Sequence, residues 1–513
     1  MTDTQIRRAR PWLALLAFGL LWGVLMRQFS PHWSVFPQYN YGWAVPFLCV
    51  YLLWERWMTR PNPEAPHSRL FPIAVIIFAA LIFFPARVVQ EANTTWRLSS
   101  WVMAIGSVSI TLSGIYLSGG ARWLRHFSFP IYFFLVAVPW PTGLEIVVIQ
   151  NLTQLNVAAT VEALALRGIP AMQQGNVIEI SSGLVGIDEA CSGIRSLQAT
   201  LMIALFLGEM YRFSTVRRVI LIAAGVGLAF IFNVVRTFVL VSVAARDGIA
   251  AIAKWHDPAG VTILVACFLA LWGVALLLRG KSGLPATVKS VPQAQSLPKF
   301  ILVGLAAWMA FVENGTEFWY RAHESSTFAS SQWSVRWPTE KSQFRRLDPF
   351  PKEVHEIMNF DEGQAAHWLN GDGTDWYAIY FRWNAARSLS QRVKVQAAKN
   401  HRPDICLRAT GMTLQEDFGI GSMKVGKVEF IFRRYRFEDH GVPLYVFYFA
   451  SEDGSLSQSP TNLRENTAAR LAAAWAGTRG LGQRMLEFII SGASNEPQAE
   501  ELLKRELPRL IQD

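Results

Sequence analysis

Charge is scarce in this chain, and cysteine scarcer. Asp, Glu, Lys and Arg make up 17% of its 513 residues, against about 25% in an ordinary soluble protein. So poor a supply cannot clothe the whole chain in a hydrated surface. The four cysteines, Cys49, Cys191, Cys267 and Cys406, stand far apart. No CxxC pair or zinc-ligand spacing exists, and no metal or cofactor is expected. Cys49 and Cys267 lie inside apolar runs and read as small hydrophobes.

Apolar residues take the vacant places. They form 51% of the chain, 20 of them are tryptophans, and mean hydropathy is +0.23. They fall in discrete runs near membrane-spanning length, which marks a polytopic α-helical membrane protein. The runs lie near 12–26, 42–57, 70–86, 99–118, 127–140, 192–208, 217–245 and 256–278. A ninth, shorter run covers 300–312. The first follows Arg7, Arg8 and Arg10 like a signal peptide, but no small-residue cleavage site follows, so it reads as an uncleaved span.

The net charge of +10 invites a nucleic-acid reading, yet the basic residues near the spans collect in alternate loops. With the N-terminus inside, Arg56, Arg60, Arg69, Arg122, Arg125, Arg212, Arg217, Arg218, Arg279 and Lys281 share one side. The opposite loops hold Arg87, Arg97, Arg167, Arg246 and Lys254. That is positive-inside asymmetry, and it sends the chain to a bilayer. With the ninth run as a span, the same threading carries the tail outside.

Residues 139–190 fit no plain span. Pro139-Trp140-Pro141 breaks the fifth helix. Leu144–Leu166 then mixes aliphatics with Glu145, Gln150, Asn151, Gln154, Asn156 and Glu162, as an interfacial or cavity-lining helix would. Val177–Ser181 reads as a strand, Ser-Ser-Gly as a turn and Leu184–Asp188 as its return. This hairpin delivers Glu189-Ala-Cys191-Ser-Gly-Ile-Arg195 to the start of the next span. A helix N-terminus carries partial positive charge, which favours thiolate.

Span parity brings three distant residues to the outer leaflet. Cys191 opens one span, Asn233-Val-Val-Arg236 lies about two thirds across the next, and His256 opens the one after. An arginine within a span is costly and marks a functional site by default. Arg236 suits a substrate carbonyl or oxyanion, and His256 a general base and acid. Arg195 and Asn233 are candidate substrate contacts. Taken singly, each has a plainer reading. Cys191 fills a core, Arg236 pairs with Glu179 or Asp188, Arg195 pairs with Glu189, Asn233 bonds between helices, and His256 caps a helix.

Ala-Cys-Ser-Gly-Ile-Arg-Ser, Asn-Val-Val-Arg, and a histidine followed four residues later by glycine resemble, in that order, the exosortase/archaeosortase family over residues 10–280. The resemblance implies a multipass cysteine endopeptidase or transpeptidase. It implies Cys191 as nucleophile, Arg236 as substrate or oxyanion contact and His256 as base. The histidine favours the exosortase branch, whose membrane-anchored substrates end in a Pro-Glu-Pro motif, a transmembrane helix and a basic tail. Two other classes remain: a transporter or exopolysaccharide-export component, and a non-catalytic scaffold.

Beyond the membrane domain (1–280), 281–299 read as a linker, 300–312 as the extra transmembrane helix and 313–513 as a soluble α+β domain. Strands are expected from Trp376, Val428 and Pro443, and helices over 461–490 and 496–511. His401-Arg-Pro403-Asp-Ile-Cys406 resembles the signature of the exosortase-associated domain. His401 and Cys406 are a secondary catalytic pair or a structural turn.

Overall fold

A computed structural model describes residues 3–186, 193–249, 251–279, 297–324, 333–350, 354–355, 358–397, 402–409, 411–426, 428–453 and 466–512. The expected residues Cys191, Asp188, Glu189 and His401 lie outside them. Two compact units emerge: residues 1–87 with 96–316, and 88–95 with 317–513.

The first unit is helical. Its elements are α1 (Asp3–Val35), α2 (Val45–Met58), α3 (Leu70–Ala92), α4 (Arg97–Phe133), α5 (Thr142–Leu166), α6 (Ile194–Met210), α7 (Thr215–Asp247), α8 (Ala251–Leu278) and α9 (Lys299–Glu324). The ends of α3 and α9 belong to the second unit. Among the described residues six helices are long and apolar enough to cross a membrane, those at 12–35, 70–92, 97–137, 142–166, 215–247 and 254–278. The chain is thus a multi-pass α-helical membrane protein with a C-terminal β-rich region. The count is roughly compatible with the sequence reading. α2 has 14 residues and α6 has 17, short of the roughly 20 that cross a bilayer unaided. The fourth and fifth runs form two helices, as read, which the non-helical Gly120, φ 71°, separates within α4.

The break after Ala137 exposes backbone groups where lipid offers no partner. Other helices supply them. Trp33 Nε1 donates to the Ala137 carbonyl at 2.9 Å, Trp101 Nε1 to that of Pro139 at 3.0 Å, and the Trp140 N–H donates to the Tyr39 hydroxyl at 2.9 Å. Beyond the break, α5 buries one row of polar residues and leaves Gln150, Asn151, Gln154 and Glu162 exposed. Glu145, Thr153, Asn156 and Thr160 are buried, while Leu144, Val147 and Leu155 are exposed. Glu145 accepts from Tyr39 Oη at 2.7 Å and lies 4.0 Å from Arg97. Arg87 and Arg97, read from sequence as loop residues, are buried at 4% and 5% exposure. Arg87 pairs with Glu313 at 2.8 Å.

α5 runs in the same direction as α7. Asn156 Nδ2 donates to Thr237 Oγ1 at 2.8 Å, and Val157 and Leu164 pack with Val241 and Ala244 further along both helices. The expected hairpin forms as β2 (Val177–Ile180) and β3 (Gly183–Gly186), with a third strand, β1 (Ala171–Gln174), ahead of it. Ile178, Ile180 and Val185 bury against α5 and α7.

The second unit is built on a seven-stranded antiparallel sheet, ordered β5-β6-β7-β11-β10-β9-β8. These are β5 (Ser342–Arg346), β6 (Glu362–Leu369), β7 (Asp375–Trp383), β8 (Thr413–Val425), β9 (Val428–Asp439), β10 (Val442–Glu452) and β11 (Gln483–Ser491). Three expected strands, β7, β9 and β10, form as read. The expected helix over 461–490 does not. Within it the described helix covers only Thr467–Trp475, and β11 takes the centre of the sheet. Gly477 and Gly480, each at φ 64°, stop the helix. Met485-Leu-Glu-Phe-Ile-Ile is a β-forming run. The last helix (Glu496–Leu510) forms as expected and buries Leu503, Leu507 and Leu510 against one face of the sheet.

On the other face β11 buries a carboxylate, Glu487, at 6% exposure. Burial raises its pKa from the ordinary 4.5 to about 7. The unfolded chain therefore ionises first, so stability is full below about pH 4.5 and falls as pH rises toward 7, by roughly 3 kcal/mol. Glu487→Gln is expected to raise the unfolding midpoint of this unit by several degrees near pH 8.5 and to leave it unchanged near pH 4.5. Calorimetry of the full-length protein in detergent measures both.

Candidate active site

Three helices converge on the candidate residues. α7 carries Asn233, 4% exposed, and one turn on Thr237 and Arg236. α8 carries His256, half-buried. Arg236 Nη2 lies 3.0 Å from His256 Nε2. A guanidinium only donates, so in this pose Nε2 accepts. The expected meeting of arginine and histidine, 20 residues apart in sequence, is thus a direct hydrogen bond. Glu179, one of the two carboxylates considered for Arg236, accepts from Gln174 Nε2 at 2.6 Å, and the other, Asp188, lies outside the described residues.

Gly260, one turn after His256, lies beside Arg236. A Cβ there would sit 3.5 Å from Arg236 Nη2, an ordinary contact, so space alone does not demand glycine. His256 was expected at the mouth of its helix, ahead of Asp-Pro. The helix instead begins at Ala251 and carries Pro258 inside it. The histidine is therefore in the second turn, held by the helix on both sides. Pro258 lacks the N–H that would bond the Lys254 carbonyl, a local cost accepted where the site is built.

α6 begins immediately after Gly193, whose φ is 88°. A side chain is disfavoured there by backbone conformation alone. It is also excluded by space, since a Cβ would lie 2.8 Å from Asn233 Nδ2. The turn two residues after Cys191 is thereby clamped to the α7 turn preceding Arg236. Arg195 points outward and is exposed.

Sequence reasoning overlooked a supporting layer. Thr237 Oγ1 accepts from Asn156 at 2.8 Å and donates to the Asn233 carbonyl at 3.1 Å. The pair ties α5 to the α7 segment that holds Asn233 and Arg236. The only available signal was an asparagine among many polar residues of α5, and nothing in the sequence singled it out. The transporter alternative expected charged residues lining a path across several spans. The buried charges of this unit are instead paired off, Arg56 and Arg218 with Glu209, Arg87 with Glu313 and Arg97 with Glu145.

A family model described as "Transmembrane exosortase" matches residues 33–273. This membrane region belongs to the exosortase family. No curated protein and no solved structure matches the chain. Exosortases are a family of cysteine peptidases and transpeptidases that process sorting signals. The matched stretch contains Cys191, Asn233, Arg236 and His256, and leaves 274–513 outside it. In the tail, Cys406 is half-buried on the helix Pro403–Ala409, where Arg402 pairs with Asp404 at 2.7 Å and Tyr435 Oη lies 3.4 Å from the same carboxylate.

Proposed function

We propose that this exosortase-family protein cuts membrane-anchored proteins at a C-terminal Pro-Glu-Pro sorting signal, on the periplasmic side of the bacterial inner membrane. The observation that carries the reading is the Arg236–His256 hydrogen bond of 3.0 Å beside the Gly193–Asn233 contact. A base and an oxyanion donor there lie next to the turn that follows the only cysteine of the matched motif.

The chemistry follows from donor counting. In the resting pose Arg236 occupies the His256 Nε2 lone pair. When a substrate carbonyl arrives, the guanidinium turns to its oxygen and releases that lone pair. His256 then takes the Cys191 thiol proton, and the sulfur attacks the carbonyl carbon. Arg236 holds the oxyanion as the tetrahedral adduct forms. The adduct collapses to a thioester, breaking the C–N bond, while His256 gives its proton to the leaving amine. Water, or an amine on an envelope acceptor, then attacks the thioester and restores the thiol. The tail binds substrate or a partner outside the bilayer.

A periplasmic reporter protein ending in Pro-Glu-Pro, an apolar helix and a basic tail tests this. A Cys406→Ser background is used with a membrane-impermeant thiol reagent, from which burial shields Cys49 and Cys267, so that the reagent tests Cys191. The protein should shorten the reporter, and alkylation should stop it. Cutting that persists after complete alkylation sinks the proposal. The mass of the product separates hydrolysis from transfer.

A further inference from the structure

One helix of the β-rich unit is apolar on its outer side. The helix Thr467–Trp475 exposes Thr467, Ala468, Leu471, Ala472 and Trp475, which its three- and four-residue spacing gathers on one face. No charge stands on that face, and Leu471 is 47% and Trp475 80% exposed. The one charged residue of the helix, Arg470, is half-buried. A helix resting on a sheet in water does the reverse, hiding its apolar stripe and showing its charges.

The neighbours of this helix give its level. On its buried side Ala474 packs with Ala92 and Tyr320. The Arg470 carbonyl accepts from Asn93 Nδ2 at 3.0 Å. The Ala474 carbonyl accepts from Trp319 Nε1 at 3.0 Å, and the Trp319 and Trp475 rings lie 6.0 Å apart. Phe318, the residue before Trp319, is 76% exposed. Ala92 is the last residue of α3, and Asn93 follows it. α3 is one of the helices able to cross a membrane, and its 23 residues rise about 35 Å. A hydrocarbon core is about 30 Å thick, so α3 ends where hydrocarbon gives way to headgroups. A helix bonded to that end lies at the same level.

We propose that the 467–475 helix is an interfacial anchor, and that the lipid surface covers its exposed face. Leu471, Trp475 and Phe318 enter the leaflet at which α3 ends. Tryptophan suits that level, with an apolar ring for the acyl chains and an N–H for the headgroups. Among the described residues the Trp475 N–H has no hydrogen-bond partner. The β-rich unit is then held to the bilayer by this helix as well as by the ends of α3 and α9. The inference needs only that the chain crosses a membrane, so it stands or falls apart from the proposed reaction.

The test uses the full-length protein in vesicles of phosphatidylethanolamine and phosphatidylglycerol. A photo-crosslinking amino acid replaces Leu471, Trp475 or Val442 in separate samples. Val442 is also exposed, but it begins β10, whose far end, Glu452, pairs with Gln483, the first strand residue after the helix. That puts Val442 about 33 Å along the strand from the pairing. All three side chains are exposed, so the replacements leave the fold intact, and a melting midpoint equal to wild type checks this. Mass spectrometry reads the adducts. Positions 471 and 475 should take up about tenfold more lipid than position 442, the preference that half-burying one leucine in hydrocarbon gives. Similar lipid yields at all three positions overturn the anchor. So do adducts of 471 and 475 with water alone, or with a second copy of the chain in place of lipid, which would make the face a protein interface.

Discussion

Alanine at position 191, 236 or 256 is expected to stop processing almost completely, by three routes. Cys191→Ala removes the atom that forms the thioester, so only background remains. Arg236→Ala removes the oxyanion donor and is expected to cost on the order of a thousandfold, the usual loss for such a donor in a dry site. His256→Ala removes proton transfer in both directions, for a loss of roughly a hundred- to ten-thousandfold. Arg236 and His256 are bonded at 3.0 Å and act in one step, so the two losses should not multiply. Arg236→Ala with His256→Ala should be little worse than the poorer single variant. Initial rates on the reporter, each beside a thermal melt, measure the cycle. Fully multiplicative losses would mean that the two residues act independently, and the displacement of Arg236 from the base would fail. Arg236→Lys should recover only part of the rate, because an ammonium lacks the fork that can reach both imidazole and carbonyl.

Gly193→Ala is the second large effect. Its φ of 88° and the 2.8 Å approach to Asn233 Nδ2 act together. The left-handed backbone alone costs about 1–2 kcal/mol for a residue with a Cβ. The contact adds a displacement of the α6 start relative to α7. The fold, held by many helix contacts, should survive this. Cys191 lies two residues away, and a misplacement of about 1 Å at a reacting group costs about a hundredfold in rate. The expected outcome is therefore a rate lowered by about two orders of magnitude with a modest change in melting. Adding Asn233→Ala removes the atoms that the new methyl meets. Partial recovery in that double variant would assign the loss to this contact, and a wild-type rate for Gly193→Ala alone would dismiss the clamp.

Much of this molecule was legible from local features. The apolar runs, the breaks at Pro139 and Pro141 and the β2–β3 hairpin follow from patterns of a few residues acting on their own neighbourhood. So does the meeting of Arg236 with His256, because span parity is a counting rule. The failures have a common form. Residues 483–490 continue an Ala/Leu-rich stretch and read as helix, yet they form β11, paired on both sides with β7 and β10. Arg87 and Arg97 read as loop charges because their partners, Glu313 and Glu145, are far along the chain.

The sequence by itself determined that the chain crosses a membrane several times and which three residue types could meet at one level of it. Those properties depend on hydropathy and on counting along a single chain. Only the tertiary structure decided that Arg236 occupies the lone pair of His256, that Gly193 is a space made for Asn233, and that Asn156 and Thr237 brace the α7 segment. Each of these is a contact between helices. Its existence depends on how one helix is rotated and shifted against another, which packing at the interface decides and which no run of neighbouring residues encodes.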